Sequence, residues 1–244
     1  MTMFIKDFKY CVPYINHEII DQYDGNMCEK DNLYSIFYEW NCKNSVSELC
    51  LSWSKTRPQT SSENMSVLLW NCEGLSTHLS DFHFLLTSHS PLIFILTGVG
   101  KQVRALQPVP NYKWFSQEGS NSFGGVAILV HQKLKCSVED KDLNFLLLKF
   151  EILKQNLYIA GVYIPPNSTP PFDRFDKHKD KNVYFFGDFN SKHTNWNCEK
   201  SNVSGNRLNE WLEENGFEII HTKCQTSKKS NSVIDFCIGK CKEN

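Results

Sequence analysis

The sequence predicts an α+β fold in which two β-sheets pack face to face with helices on their outer surfaces. Short apolar runs recur from Ser66 onward, whereas only two segments show clear helical spacing of apolar residues. Two helices are too few for a regular alternation of strands and helices. A hydrophobic fraction of 41% is enough to form a core, and 244 residues allow one large domain or two small ones.

The elements follow one another at short intervals after a polar N-terminal region. Residues 1–64 are predicted to be a leader and linker with little structure, apart from a short helix at 32–40, and residues 65–244 form the folded domain. Apolar runs predict strands at 67–71, 92–96, 112–116, 126–130, 145–150, 157–163, 183–186, 217–220 and 232–238.

Two segments predict helices, and a third is predicted to be a loop. Leu79, Phe82, Leu85 and Leu86 share one face of a helix, for which Ser76 or Thr77 would be the N-cap; Pro91 ends it. A second helix spans 205–215, with Leu208, Trp211 and Leu212 facing inward and Gly216 as its C-terminal stop. The charged run at 173–182 predicts a solvated loop.

Charge and cysteine usage restrict the class of protein. The net charge of −1 argues against a strongly basic nucleic-acid-binding surface but allows one local patch. The ten cysteines form no C-x-x-C motif, the first ten residues do not form a signal peptide, and no apolar run approaches the ~18 residues of a membrane span. We therefore expect reduced cysteines and an intracellular protein, cytoplasmic or nuclear, that is neither secreted nor bound to a membrane.

The most informative segment is Gly187-Asp188-Phe189-Asn190, which follows the apolar run at 183–186. Gly187 gives the backbone freedom to turn, and Asp188 and Asn190 would point to the same side of an extended chain. A carboxylate and an amide at the end of a buried strand suit chemistry on a phosphate or a metal. The same residues are also typical of an ordinary Asx turn.

Other predicted strands also finish with polar residues, namely Asn71 and Glu73, Tyr163, and Ser232 and Asp235. If these ends meet at one edge of the sandwich, their oxygen atoms suit Mg²⁺ and the attack of water on a phosphodiester. Asp188 would then act as the base or orient the water, Asn190 and Asn71 would donate to phosphate oxygens, and Tyr163 would stabilise charge.

Each of these residues has an ordinary structural interpretation as well. Asn71 could cap the following helix, and Glu73 could be a solvated charge. Tyr163 could be a core ring whose hydroxyl reaches the surface, and Asp235 could make only a local hydrogen bond. Only their occurrence as an ordered set favours the functional interpretation.

The ordered set resembles a known family. In sequence order the motifs are Trp70-Asn71-Cys72-Glu73-Gly74-Leu75, Gly124-Gly125-Val126-Ala127-Ile128, Val162-Tyr163-Ile164-Pro165-Pro166, Gly187-Asp188-Phe189-Asn190 and Ser232-Val233-Ile234-Asp235. They resemble successive motifs of the endonuclease/exonuclease/phosphatase superfamily, and the branch that fits best is the apurinic-type endonuclease domain of non-LTR retrotransposons. The resemblance covers about residues 66–239. It implies a four-layer αββα sandwich and Mg²⁺-dependent phosphodiester cleavage, usually nicking of DNA before target-primed reverse transcription.

The sequence departs from the family pattern at several points. Gly98 occupies the position where the family carries a metal-binding Glu, and Glu73 could compensate only in part. The chain ends at Asn244 before the family's Ser-Asp-His strand, so Asp235 would lack the histidine that it orients; His221 lies in the wrong order to replace it. The segment between Pro166 and Val183 is short, and we expect a helix to be missing there.

The resemblance assigns roles that these departures weaken. It implies Asp188, Asn190, Tyr163, Asn71 and Asp235 as catalytic residues, and Glu73 and Asn71 as metal ligands. The basic and aromatic side chains expected beside the cleft, Lys192, His193, Trp196 and Arg207, would be the nucleic-acid contacts. Mg²⁺, or alternatively Mn²⁺, would bind with reduced affinity, DNA would be the partner, and a reverse transcriptase region of the same element would be a further one. Loss of one proton-transfer or charge-stabilising group lowers rates about 10²–10⁴-fold, so we expect weak or no endonuclease activity. The alternatives are a binding module on the same fold, for nucleic acid or protein, and a fragment that does not fold.

Overall fold

The computed structural model describes residues 2–6, 65–152, 155–220, 225–227 and 230–240. The first sheet contains β1 (Thr2–Lys6), β2 (Ser66–Asn71), β3 (Ile93–Thr97), β4 (Tyr112–Gln117) and β5 (Val126–His131), in the spatial order β1-β2-β3-β5-β4. The second contains β6 (Cys136–Asp142), β7 (Phe145–Ile152), β8 (Gln155–Tyr163), β9 (Val183–Asp188), β10 (Glu218–Ile220) and β11 (Asp235–Gly239), in the order β10-β11-β9-β8-β7-β6.

Each sheet contains one parallel pair of strands. In each pair the two strands end at the same edge of the sheet, which is the edge that carries the polar residues of the site. β2 runs parallel to β3, and β8 runs parallel to β9. The other paired strands are antiparallel. Because β2, β8 and β9 all finish at the same edge, the polar residues that follow them are brought together.

In the described residues, three α-helices cover the outer faces of the sheets: α1 (Leu79–His89), α2 (Phe172–His178) and α3 (Val203–Asn215). The Asn202 side chain caps α3 by accepting from the Gly205 N–H. Gly216, in the left-handed conformation, ends the helix, and this C-terminal stop was predicted. The predicted cap of α1 is wrong, because Ser76 and Thr77 belong to a preceding 3₁₀ helix, Leu75–Thr77. The N-cap residue is His78, and it makes no side-chain capping bond.

Three apolar clusters define the layers. The middle one lies between the sheets and includes Leu69, Ile95 and Ile128 of the first sheet with Leu148 and Ile159 of the second. An outer cluster joins the first sheet to α1, and another joins the second sheet to α2 and α3, among them Phe175, Phe185, Leu208, Trp211 and Leu212. Burial of opposite faces of each strand therefore produces four layers in the order αββα, and the predicted fold class is confirmed.

The charged run after Pro171 forms a helix, which contradicts both the predicted loop and the expected absence of a helix there. Helix α2 buries Phe175 and His178 against the second sheet. Its charges pair with the neighbouring strand β6, where Arg174 contacts Asp142 and Lys177 contacts Asp140. Strand β6 was not predicted, because its sequence is mostly polar, most of its side chains are exposed, and it contains no apolar run.

Some predictions lie outside the described residues. They include the helix at 32–40, the linker at 55–64 and His221. Strand β1 lies within the N-terminal region for which no strand was predicted, and it pairs antiparallel with β2. In the described parts of the chain, no helix has both the length and the apolar character that crossing a lipid bilayer requires.

Candidate active site at the shared edge of the two sheets

One hydrogen bond joins the polar ends of the two sheets. Asn71 is the last residue of β2 in the first sheet, and Asp188 is the last residue of β9 in the second. Asn71 Nδ2 donates to Asp188 Oδ2 over 2.6 Å. The predicted meeting of these two strand ends is therefore present, and we call the group of polar residues around it the cleft.

Two more predicted residues flank Asp188 in the second sheet. Tyr163 is its neighbour in the parallel pairing with β8, and Asp235 is its neighbour in the antiparallel pairing with β11. Asp188 and Asp235 are only 3% and 4% exposed. Two carboxyl groups thus face each other in an environment that contains little water.

Burial and mutual repulsion change the acidity of this pair. Burial, and then the negative charge of Asp235, raise the pKa of Asp188 well above its ordinary value, although hydrogen bonds from Asn190 and Asn71 oppose the rise. Burial raises the pKa of Asp235 to about 7. Asp235 Oδ1 accepts no hydrogen bond from any described residue. At neutral pH the pair therefore holds a proton more readily than ordinary carboxylates do.

Asn190 lies beside Asp188 but not in the predicted extended conformation. Its φ of +47° is left-handed, its N–H donates to Asp188 Oδ1 over 3.0 Å, and its Nδ2 donates to the Ile164 carbonyl over 2.9 Å. The segment is therefore an Asx turn, as the ordinary interpretation held. The turn also fixes the orientation of the Asp188 carboxyl group, because Asp188 Oδ1 accepts the hydrogen bond that closes the turn.

Glu73 lies next to Asn71 and interacts electrostatically with Tyr163. Glu73 is exposed with a φ of +47°, and its N–H donates to Asn71 Oδ1 over 3.2 Å. Burial, and then the charges of Asp188 and Glu73, raise the pKa of Tyr163; the charge of Glu73 also raises that of Asp235. These interactions place the Glu73 carboxylate near the other site residues.

At Gly98, where the family pattern places a carboxylate, a side chain would require the Asn71 amide to move. The φ of Gly98 is +64°, and an added Cβ would lie 2.6 Å from Asn71 Oδ1. The described residues contain no group of three His, Cys, Asp or Glu side chains that could hold a metal ion. The oxygens of Asn71 and Glu73 still suit Mg²⁺, because this ion keeps several waters and often binds through one or two protein carboxylates and a substrate phosphate.

The four predicted nucleic-acid contacts differ in accessibility. Trp196 is 2% exposed and its Nε1 donates to the Ser191 carbonyl, so it is a core residue and offers no face for a base. His193 packs against Trp196 and accepts from the Asn195 N–H. Lys192 donates to Ser230, and the exposed Arg207 donates to Thr169. Trp196 is therefore not accessible for the predicted contact with nucleic acid, whereas His193, Lys192 and Arg207 are partly or fully accessible and stay predictions.

Sequence reasoning missed two buried polar residues that shape the site. The Thr226 hydroxyl accepts from the N–H groups of Ile234 and Asp235, and so fixes the start of β11. Asn144, in the turn between β6 and β7, accepts from the Tyr163 N–H through its backbone carbonyl. Neither residue lies in a segment with a regular spacing of apolar residues. The only sequence signal near Asn144 is its place two residues after Asp142, since Asp and Asn are common in turns.

Comparison with known proteins agrees with this architecture. A family model described as endonuclease-reverse transcriptase matches residues 157–244. The RNA-directed DNA polymerase from the mobile element jockey of Drosophila melanogaster is 23% identical over 188 residues, 71% of this chain; the chain spans about a fifth (20%) of that relative.

Two solved structures share the fold. The endonuclease domain of TRAS1, a telomere-specific non-LTR retrotransposon, has a TM-score of 0.59 and 16% identity, covering 71% of this chain and 83% of that one. The AP endonuclease LMAP from Leishmania major has a TM-score of 0.56 and 10% identity, covering 84% of this chain and 90% of that one. The comparisons confirm the resemblance to the endonuclease/exonuclease/phosphatase superfamily and to its retrotransposon branch.

Proposed function

We propose that the chain is a retrotransposon-type endonuclease-like domain whose cleft binds a phosphodiester of DNA and hydrolyses it slowly with Mg²⁺. The observation that carries this proposal is the hydrogen bond between Asn71 and Asp188, which joins the two sheets beside Tyr163 and Asp235. The relatives support the choice of substrate, since one is named as an endonuclease domain and another as a polymerase of a mobile element. The match to a polymerase also supports a reverse transcriptase region of the same element as a partner.

Asp188 is the residue best placed to accept a proton from water. Its two oxygens accept from Asn71 and from the Asn190 N–H, so the carboxyl group is held in one orientation. Each oxygen retains a second lone pair for a water molecule. A pKa raised by burial brings this carboxyl closer to the acidity at which a general base works best near neutral pH.

Asn71 and Tyr163 supply hydrogen-bond donors to the phosphate. Asn71 Nδ2 carries two hydrogens, and the bond to Asp188 uses only one of them. The raised pKa of Tyr163 keeps its phenol protonated, so that it can donate to an oxygen on which negative charge develops. Both donors are fixed by the strands that carry them.

Glu73 and Asn71 would hold the metal ion through oxygen atoms, with water and the phosphate as its other ligands. When bound, Mg²⁺ or Mn²⁺ would stabilise negative charge on the phosphate. Because position 98 supplies no carboxylate, we expect weaker metal binding and slower hydrolysis than a site with that ligand would give.

A nicking assay with supercoiled plasmid and Mg²⁺ tests this proposal. We expect slow, Mg²⁺-dependent nicking that Asp188→Ala and Asn190→Ala reduce to background. Asp180→Ala is the matched control, because this exposed carboxylate precedes β9 at its opposite end. Rapid nicking that Asp188→Ala abolishes would show that Gly98 does not impair the site. Equal nicking by the wild type and Asp188→Ala would refute the proposed role of the cleft.

The absence of a carboxylate at Gly98 favours a second candidate, a module that binds DNA without cutting it. Salt-dependent affinity for DNA with no nicking in Mg²⁺ or Mn²⁺ would support this function. The Arg207→Ala variant should then weaken binding and reduce the dependence on salt. If the wild type neither binds nor nicks DNA at low salt, both functions are refuted.

A further inference from the structure

We propose that two hairpin tips beside the cleft form a clamp for an unpaired nucleobase. The first tip, residues 118–125 between β4 and β5, carries Phe123, and the second, residues 143–144 between β6 and β7, carries Leu143. This inference rests on the proposed function, because it assumes that a nucleic acid lies in the cleft. It adds two contact residues and a preference for a base that is not paired.

The two side chains are unusually exposed for their size. Phe123 is 74% exposed and Leu143 is 56% exposed. A single exposed apolar side chain is common on a protein surface and needs no explanation. What distinguishes this pair is that the backbone beneath both side chains is fixed by hydrogen bonds, and that both lie next to the polar cleft.

Asn144 ties the two tips together. Its Oδ1 accepts from the Gly125 N–H over 2.9 Å, its Nδ2 donates to Ser120 Oγ over 2.9 Å, and its own N–H donates to the Glu118 carbonyl over 2.9 Å. Asn144 is 6% exposed, so these bonds are shielded from water. The tips are therefore held in one arrangement and would lose little entropy on binding a ligand.

The same backbone bonds connect the tips to the cleft. The Tyr163 N–H donates to the Asn144 carbonyl over 2.9 Å, which joins the second tip to the last residue of β8. The Gly100 N–H donates to the Gly124 carbonyl over 2.8 Å, which places the first tip next to the loop that contains Gly98. A nucleic acid whose phosphate lies at Asp188 would pass beside both tips.

The surroundings of the tips favour a nucleotide over an apolar partner. A recess of about 420 Å³ adjoins the tips and is lined by Val103, Arg104, Ser116, Gln117, Glu118 and Lys141. Among the described residues, Lys141 makes no ion pair, while Arg104 is engaged by Glu118 at 2.6 Å. Apolar tips beside a free ammonium match a nucleotide, which has an apolar base face and an anionic phosphate.

Binding of DNA probes in the absence of divalent metal tests the clamp without cleavage. One probe is a duplex with a single unpaired aminopurine, whose fluorescence falls when it stacks, and the other is the same duplex fully paired. We expect the wild type to bind the probe with the unpaired aminopurine more tightly than the fully paired probe, and to lower the fluorescence of the aminopurine. The Phe123→Ala variant should bind the probe with the unpaired aminopurine with a Kd about 5- to 150-fold higher than that of the wild type. This is the range for losing one base–aromatic stack.

Three further variants separate stacking from general loss of apolar surface. Phe123→Tyr should keep the affinity, and Leu143→Ala should weaken it to a smaller degree than Phe123→Ala. Val138→Ala is the matched control, since Val138 is 46% exposed on β6 away from the tip, and it should bind as the wild type does. All of these side chains are exposed, so thermal melts should be unchanged.

Two results would overturn the clamp while leaving the proposed function intact. In the first, Phe123→Ala and Leu143→Ala bind both probes as the wild type does. In the second, the wild type self-associates with rising concentration in light scattering, and Phe123→Ala abolishes this without changing DNA affinity. A wild type that binds neither probe would remove the clamp together with the proposed function.

Discussion

Replacing Asp235 with Asn should stabilise the protein at and above neutral pH and have little effect in acid. In the folded protein Asp235 has a pKa of about 7, against 3.8 for an unperturbed aspartate. Between these values the folded state binds more protons than the unfolded state, so its stability falls as the pH rises. At ~1.4 kcal/mol for each pKa unit, the full difference corresponds to at most about 4 kcal/mol. The amide side chain of the Asp235→Asn variant does not ionise and would avoid this loss.

Urea unfolding of both proteins at a series of pH values from about 4 to above 7 measures this effect. We expect the stability difference between Asp235→Asn and the wild type to rise from near zero in acid to a few kcal/mol. Burial lowers the pKa of His131 in both proteins, so its contribution cancels in the difference. Asp235→Asn also removes a charge that raises the pKa of Asp188, which changes the difference in the same direction. A difference that stays constant with pH would refute the reasoning, because it would show that neither carboxyl group has a raised pKa in the folded state.

Four other substitutions have outcomes that the structure predicts. Gly187→Ala would force a methyl group against the Val162 backbone, and urea unfolding should show a loss of ~3 kcal/mol or more. Asp140→Ala leaves the buried His178 without its acceptor and should lower stability by about 3 kcal/mol, whereas Asp142→Ala at an exposed pair should lower it by less than ~1 kcal/mol. Gly98→Glu should lower the melting temperature without increasing plasmid nicking, because its Cβ would displace Asn71; faster nicking would contradict this.

The sequence predicted most strands because apolar runs of strand length bury at least one face in a sandwich. It failed at β6, whose polar residues lie at the edge of the second sheet, and at α2, whose charges looked like those of a loop. The two errors have one cause. Arg174 and Lys177 of α2 are neutralised by Asp142 and Asp140 of β6, so neither segment shows its partner in its own local pattern.

The meeting of Asn71, Tyr163, Asp188 and Asp235 could be predicted from polar residues that end or begin apolar strands, because sheet pairing then brings them to one edge. The burial of Trp196 could not. An aromatic residue after a strand packs inward or outward according to its neighbours in space. Here the Trp196 ring packs inward against the ring of Phe236 in β11. The conformation of Asn190 also depends on a distant group, the Ile164 carbonyl.

The requirements of folding alone do not explain the two buried carboxyl groups. Asp235 has a buried oxygen that accepts no bond from any described residue, and its ionisation is opposed by burial and by the nearby charge of Glu73. An amide of the same shape should make the fold more stable at neutral pH, so stability alone gives no reason for an acid there. Groups with strongly raised pKa values occur preferentially at functional sites, where proton transfer or charge binding requires them. The stabilisation expected for Asp235→Asn therefore also measures how much stability the protein loses by having an acidic group at this position.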